Sequence, residues 1–384
     1  MEAGLLAVTY AFNANDSQAQ MRYASGRTLT TCYDVFGRAV WASASQPQSA
    51  CEAGGVLQPL PSSPAGYYGV VQAFFPAGQV KTLALGNNVT EARDYNNRQQ
   101  ALSMQLSAGN VDCPGSNLSI LALGYTFPAG KNSGNVQTQT IASLVRTAQG
   151  CQTMGLTDMY TYDALNRLTE VQESGGNGWT EGYDYDQYGT VMSNAATTTV
   201  QAPLFMAASL AQIDATSNRI VKSTQNQVSN DVQYNNAGDM TVFPGMTPNM
   251  TYDAENRLTS FEATTGAIAT YTYDGQGRRA TKTSLGVTTS YVYDTAGQLV
   301  AEYGGQSATA GTQYQTEDNL GSTRVVTDGA GKIVTRWDYM PFWGCHNGDG
   351  GAQPEHDHRV WAAGRDIDGI HGAGGGRGIG PRLL

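Results

Sequence analysis

The sequence predicts an all-β chain built as an array of β-hairpins, and three observations predict it. A short phrase headed by Tyr-Asp recurs at intervals of about 20 residues, the mark of a repeat architecture. The fifth position of that phrase holds only Gly or Asn. Tyrosines stand at i and i+2 ahead of the phrase, the spacing at which strand side chains share one face.

The clearest copies run from Tyr162-Asp163 through Asn166-Arg167-Leu168, and from Tyr252-Asp253 through Asn256-Arg257-Leu258. Two more are Tyr273-Asp274 with Gly277, and Tyr293-Asp294 with Gly297. Looser copies are Tyr185-Asp186 with Gly189, and Tyr234-Asn235 with Gly238. Successive copies are separated by 23, 49, 18, 21 and 20 residues, so the long step is expected to hide a degraded copy.

Gly visits positive φ freely and Asn tolerates it, so a position limited to these two asks for a left-handed backbone. The Asp before it bonds back to the main chain two residues on. A type I turn followed by a left-handed residue closes a short hairpin. The pairs Tyr160/Tyr162, Tyr183/Tyr185, Tyr271/Tyr273 and Tyr291/Tyr293 then project from one face, as aromatic ladders between stacked hairpins. A lone hairpin is marginal in water, so the repeats must pair edge to edge into a large sheet.

The phrase resembles the YD repeats of the RHS family of large bacterial proteins. A second segment sharpens the likeness: Asp318-Asn319-Leu320-Gly321-Ser322-Thr323-Arg324, then Val325-Val326-Thr327-Asp328, Gly331-Lys332 and Asp338-Tyr339-Met340-Pro341-Phe342. It is similar to the RHS repeat-associated core motif. Asn319 stands where the family commonly has His, and Trp343 where Gly usually follows Pro-Phe. The resemblance covers residues 23–344, more weakly in the first half. It implies a large curved sheet or partial hollow shell that encloses or presents a variable C-terminal toxin domain. It also implies a secreted or cell-surface protein, with the remaining repeats of a larger chain and that effector domain as partners.

On this reading the chain divides into a degenerate repeat region at 1–158, clear YD repeats at 159–303, the core motif at 304–344 and a Gly/His-rich tail at 345–384. The first region holds an early copy at Tyr33-Asp34 with Gly37 and a worn one at Tyr95-Asn96, where Gln99 replaces Gly. Thr138–Gly155 reads equally as a short helix or a strand, and Ala207–Ile213 is a second helix candidate. The tail is expected to be disordered or out of frame, since it departs from the family pattern just after Phe342. The abrupt start, with no segment to cap the array, suggests a fragment.

Composition fits strands and turns, with 46 Gly, 21 Tyr and only 14% charged residues. The net charge of −10 argues against a nucleic-acid surface. The N-terminus has Glu2 and no basic segment before its apolar run, so it does not read as a secretory signal. No run of about 18 apolar residues exists to span a membrane.

Candidates for chemistry have simpler readings. Asp163, Asp186, Asp253, Asp274 and Asp294 offer carboxylate pairs for glycoside hydrolysis, but their fixed offset from Gly or Asn is explained by each capping its own turn. Asp318, Asp328 and Asp338 read as turn and strand-end residues. His346, His356, His358 and His371 lack partnered Cys spacing for zinc. No His precedes 346, which removes a Ser-His-Asp triad from the repeats. The five cysteines form no CxxC and specify no disulfide framework. The sequence therefore predicts no enzyme, no cofactor and no metal. The alternative function is a carbohydrate-binding or adhesion module that stacks glycans on exposed Tyr ladders.

Overall fold

A computed structural model of the chain describes residues 8–23, 26–53, 56–108, 119–147, 150–175, 178–199, 207, 209–223, 230–242, 250–262, 268–293, 297, 299–304, 311–342, 344–346 and 378–379. Among these, strands dominate. Fourteen of them form a single antiparallel sheet from Thr9–Phe12 to Val191–Ser193. Each strand pairs with its neighbour in sequence, apart from a short excursion holding the Glu52–Ala53 and Val56–Leu57 hairpin. A six-stranded sheet from Met250–Tyr252 to Leu299–Gly304 continues the same serial order.

Serial pairing places every phrase turn of the large sheet at one end of its strands. The 20-residue period is therefore two strands and two turns. A further regularity accompanies the phrase. Tyr162 pairs with Leu168, but Thr161 pairs with Glu170, so the strand leaving the turn carries a one-residue bulge. The same shift follows the turns at Tyr33, Tyr252, Tyr273 and Tyr293. It also follows Phe12, Phe74 and Tyr95 in the first region.

The inner face of the large sheet is apolar. Leu85, Val89, Met104, Leu106, Leu121, Leu123, Tyr125, Ile141 and Leu156 are buried there. Tyr314 and Val325 of the core motif join the same cluster, so the Thr312–Glu317 and Thr323–Thr327 strands lie against that face. Asn87 fixes them, donating from Nδ2 to Thr327 Oγ1 (2.9 Å) and to Asp328 O (2.8 Å). Arg93 adds a bond from Nη2 to Glu317 O at 2.7 Å. The six-stranded sheet meets the first strands, where Val292 packs with Met21, Tyr23, Leu29 and Ala42. The Tyr10 hydroxyl donates to Tyr293 O at 2.9 Å, so the last repeats return beneath the first.

One expectation changes, and two readings that the sequence left open are decided. Thr138–Thr147 and Gly150–Tyr162 are paired strands, and Ile141 and Leu156 face each other across them on the buried face. The second helix candidate yields only a single 3-10 turn at Leu210–Gln212. The Cys32–Cys51 pair forms a disulfide with Cα atoms 5.3 Å apart, buried beside Val40, Trp41 and Val70. Cys151 is disulfide-bonded as well. Spacing could not show these bonds, because the excursion after Ala39–Ser43 folds Cys51 back onto the sheet.

The long step does hold a hidden copy. Ile213-Asp214 leads to Asn218, whose φ is 53°, and the turn is one residue longer than the others. Trp343 and nearly all of the 345–384 tail lie outside the described residues.

Candidate functional site: stapled turns over a buried charge seat

Each phrase turn is closed by its own Asp. The Asp163 N–H donates to Arg167 O (2.9 Å), and the Asn166 N–H donates to Asp163 O (3.0 Å). Asp163 Oδ1 accepts the N–H groups of Leu165 (2.8 Å) and Arg167 (2.9 Å), and Oδ2 accepts Arg167 Nε at 2.7 Å. Asp253 and Asp274 hold Arg257 and Arg278 in the same way, each at 2.7 Å. The backbone N–H of Arg167, then, against slight burial, its guanidinium hold the Asp163 carboxyl below its usual range. Asp186 accepts the backbone N–H groups of Tyr188 and Thr190 and, among the described residues, has no guanidinium partner, since Thr190 replaces the arginine. Asp294 lies outside the described residues.

The fifth residue is left-handed wherever it is described. Asn166 and Asn256 have φ of 62° and 60°; Gly189, Gly277 and Gly297 have 88°, 78° and 82°. A Cβ at Gly277 would meet only the tip of Arg257, at 3.9 Å, so the backbone sets the cost of substitution. Gly277→Val is expected to destabilise the chain by about 1–2 kcal/mol, because a β-branched residue resists this region. A thermal midpoint equal to that of the parent chain would refute it.

Neighbouring hairpins are joined by a staple that sequence reasoning missed. The Tyr185 hydroxyl donates to Leu168 O (2.6 Å), Tyr252 to Met240 O (2.7 Å), Tyr273 to Leu258 O (2.7 Å) and Tyr293 to Arg279 O (2.9 Å). Each acceptor is the seventh residue of the preceding phrase. Tyr162 donates instead to Val136 O at 2.8 Å. Each turn arginine, gripped by its Asp, then lies over the next tyrosine ring. Arg167 stands 4.4 Å from the Tyr185 centroid, and Arg257 and Arg278 each stand 4.9 Å from Tyr273 and Tyr293. The signal was present in the Arg of the phrase. Tyr273→Phe is expected to cost about 1–2 kcal/mol by leaving the half-buried Leu258 carbonyl without its donor, read as a lower urea midpoint.

The core motif repeats the same turn twice. Asp318 Oδ1 accepts the N–H groups of Leu320 (2.9 Å) and Ser322 (3.0 Å), with Gly321 left-handed at 83°. Asp328 does so for Ala330 and Lys332. Tyr339 completes the staple, donating to Thr323 O at 2.9 Å. Leu320 sits at the exposed tip, Pro341 is half-buried, and the Phe342 ring meets Tyr183 edge-on at 4.9 Å.

Arg324 departs from this pattern. It occupies the bulge after its turn and is buried. Its Nη2 lies 2.7 Å from Asp338 Oδ1 and its Nη1 3.7 Å from Asp318 Oδ2. Arg336 reaches Asp338 Oδ2 at 3.4 Å. Asp338 begins its strand, as expected, but it works as half of a buried ion pair.

The sheet beneath this motif is acidic. Asp158 and Glu173 are direct partners on paired strands, and Glu181 lies on the next. All three are buried. Burial first, and the Glu173 charge second, push the Asp158 carboxyl up to about 7. Burial likewise raises Glu181, although Tyr183 donates to its Oε2 at 2.7 Å. Sequence reasoning passed over these residues; their only signal is that Asp158 shares inward parity with Leu156 and Tyr160.

Among the described residues, no group of three or more His, Cys, Asp or Glu side chains is placed to hold a metal ion. The turn carboxylates are each engaged in their own loops. No described helix is long and apolar enough to cross a membrane.

The family model described as "RHS Repeat" matches residues 252–286. No curated protein matches the sequence. Similar solved structures include TcdB2-TccC3 without its hypervariable C-terminal region, at 14% identity and a TM-score of 0.51, covering 88% of this chain and 18% of that one. TcdB2-TccC3-TEV matches at 15% identity and 0.50, with the same coverages of 88% and 18%. A Photorhabdus luminescens Tc holotoxin pore carrying TccC3-D651A gives 15% identity and 0.48, again covering 88% and 18%. This chain thus spans under a fifth of the length of those chains, and the likeness to them is one of fold. Residues 252–286 thus match an RHS repeat, and the chain shares the fold of TcdB2-TccC3.

Proposed function

We propose that the chain is a non-enzymatic segment of a β-sheet shell, which encloses or presents a C-terminal, toxin-like domain not recognisable in these residues. The observation that carries this reading is the serial sheet itself, in which the Tyr-headed repeats are stapled to their neighbours and the strands at 312–327 are seated on the inner face. Such a surface is built to extend and to surround, and it grows by adding repeats. The partners on this reading are further repeats of a larger chain and the effector domain. The buried Cys32–Cys51 disulfide supports an oxidising compartment, in keeping with secretion or surface display.

The neighbouring DNA, read in all three frames, tests the proposal. YD phrases continuing upstream and an effector-like frame downstream are the expected result. Flanks without either would overturn it.

No observation favours the glycan-binding alternative. Tyr183 and Tyr271 are buried, and the second tyrosines are engaged by backbone carbonyls and guanidinium groups. On a glycan array, specific binding abolished by Tyr271→Ala and Tyr291→Ala would revive it.

A further inference from the structure

Beside the first two phrase turns lies a cavity of about 260 Å³, lined by Asn13, Tyr33, Asp34, Gln48, Glu52 and Leu57 among others. One wall belongs to the excursion, and the Cys32–Cys51 disulfide ties that wall to the strand carrying Tyr33.

The other phrases show what such a place suits. Arg38, Arg167, Arg219, Arg257 and Arg278 each follow the left-handed residue of their phrase. Each lies between 3.9 and 5.1 Å from the ring that heads the next phrase: Phe74, Tyr185, Tyr234, Tyr273 and Tyr293.

The first phrase folds into the same turn. The Asn13 N–H donates to Ser17 O at 2.9 Å, the Asp16 N–H donates to Asn13 O at 3.1 Å, and Asp16 is left-handed at 57°. Asn13 Oδ1 accepts the N–H groups of Asn15 and Ser17, and the Tyr33 hydroxyl staples back to Gln18 O at 3.1 Å. The residue after Asp16 is Ser17, however, so this phrase supplies no guanidinium of its own. Asn13 and Tyr33, which line the cavity, hold the two positions that flank the arginine in the other phrases.

The excursion adds acceptors. Gln48 Oε1 is shielded from solvent and has no hydrogen-bond partner among the described residues. A shielded acceptor without a donor is costly, so a ligand that donates there gains the missing bond. Glu52 presents an exposed carboxylate at the same cavity. Asp34 lines it too, but its Oδ2 already accepts Arg38 Nε at 2.8 Å.

We propose that this cavity binds a guanidinium group supplied from outside the phrase, in the berth that the chain's own arginines fill elsewhere. The planar group donates to Gln48 Oε1 and Glu52 and lies against Tyr33. Asn13 does not grip it as Asp163 grips Arg167, because the second terminal atom of Asn13 is an N–H donor. The site is therefore weaker than an intact phrase, and its occupant exchanges. The disulfide at Cys51, directly after the Gln48–Ala50 turn, holds the wall in place, so little ordering is lost on binding. The guanidinium belongs either to a free arginine-like molecule or to an arginine side chain of a polypeptide.

Saturation-transfer NMR on the full chain tests this with free arginine, a blocked glycyl-arginyl-glycine peptide and the same peptide carrying citrulline. The arginine probes are expected to bind, and the uncharged citrulline peptide about tenfold more weakly. Tighter binding of free arginine assigns a small molecule, and tighter binding of the arginine peptide assigns a polypeptide. Glu52→Gln should weaken binding about threefold, and Asn13→Asp, which restores the grip, should tighten it about threefold. Asn13→Asp combined with Ser17→Arg rebuilds the standard phrase and fills the cavity from within, so binding should be lost. Silence of both arginine probes, equal binding of the citrulline peptide, or unchanged binding in the rebuilt chain overturns the proposal. Glu52→Gln alters only an exposed side chain, so undiminished affinity there overturns it independently, whether or not the rebuilt chain folds. The readout involves no cargo and no further repeat, so the berth and the shell reading stand or fall separately.

Discussion

Arg324→Met should destabilise the chain by about 3–5 kcal/mol, the largest single-residue loss expected here. The side chain is 3% exposed and is bonded to Asp338 at 2.7 Å. Removing it leaves Asp338 buried with only Arg336 at 3.4 Å, beside Asp318 and above Asp158. The apolar replacement fills much of the volume, so the loss reports uncompensated charge and not a cavity. The physical cause predicts a companion result. Asp338→Asn in the Arg324→Met background should recover part of the loss, since it removes the stranded carboxylate. Urea denaturation of the parent chain and the two variants checks both. Equal midpoints for Arg324→Met and the parent chain would show that the pair contributes nothing to holding the core motif on the sheet.

Replacing both Cys32 and Cys51 with Ala should cost about 3 kcal/mol in the loop-entropy account. The bond closes a loop with a sequence separation of 19 and holds the excursion after Ala39–Ser43 against Trp41 and Val70. A thermal melt of the double variant against the parent reads the loss directly. Reductant should lower the midpoint of the parent by more than that of the variant, which keeps only the bond at Cys151. An identical response of the two proteins to reductant would mean that Cys32–Cys51 does not constrain the chain.

The two predictions come from different ranges of the fold, and they differ in how far the sequence announces them. The disulfide joins residues within one excursion, yet only the return of that excursion to the sheet brings the sulfurs together. The Arg324 pair joins residues of one short motif, but Arg324 falls in a bulge. Counting inward and outward positions from the turn gives the wrong parity after a phrase that carries the bulge, as where Tyr162 pairs with Leu168 while Thr161 pairs with Glu170. A period-two reading is broken at the very residue that carries the charge.

Local chemistry, by contrast, is fully legible. An Asp that closes five residues, followed by Gly or Asn, is a complete instruction for a turn, since its bonds and its backbone conformation are satisfied within the phrase. Repetition of that instruction near every 20 residues determines an all-β array, and serial hairpins leave little choice of strand order. The sequence by itself therefore determined the turns, the strands between them and their succession.

Only the tertiary structure decided what lies inside. The staple from each Tyr to the preceding seventh carbonyl depends on how hairpins sit side by side. The return of Val292 and Tyr293 beneath the first strands depends on how the array bends. The approach of Arg324 and Asp338 to Asp158 joins residues far apart in the chain, and no local pattern encodes it. Turns are written in neighbouring residues, whereas burial is a property of the packed sheets. The charges of the seat acquire their altered chemistry only when those sheets exclude water from them.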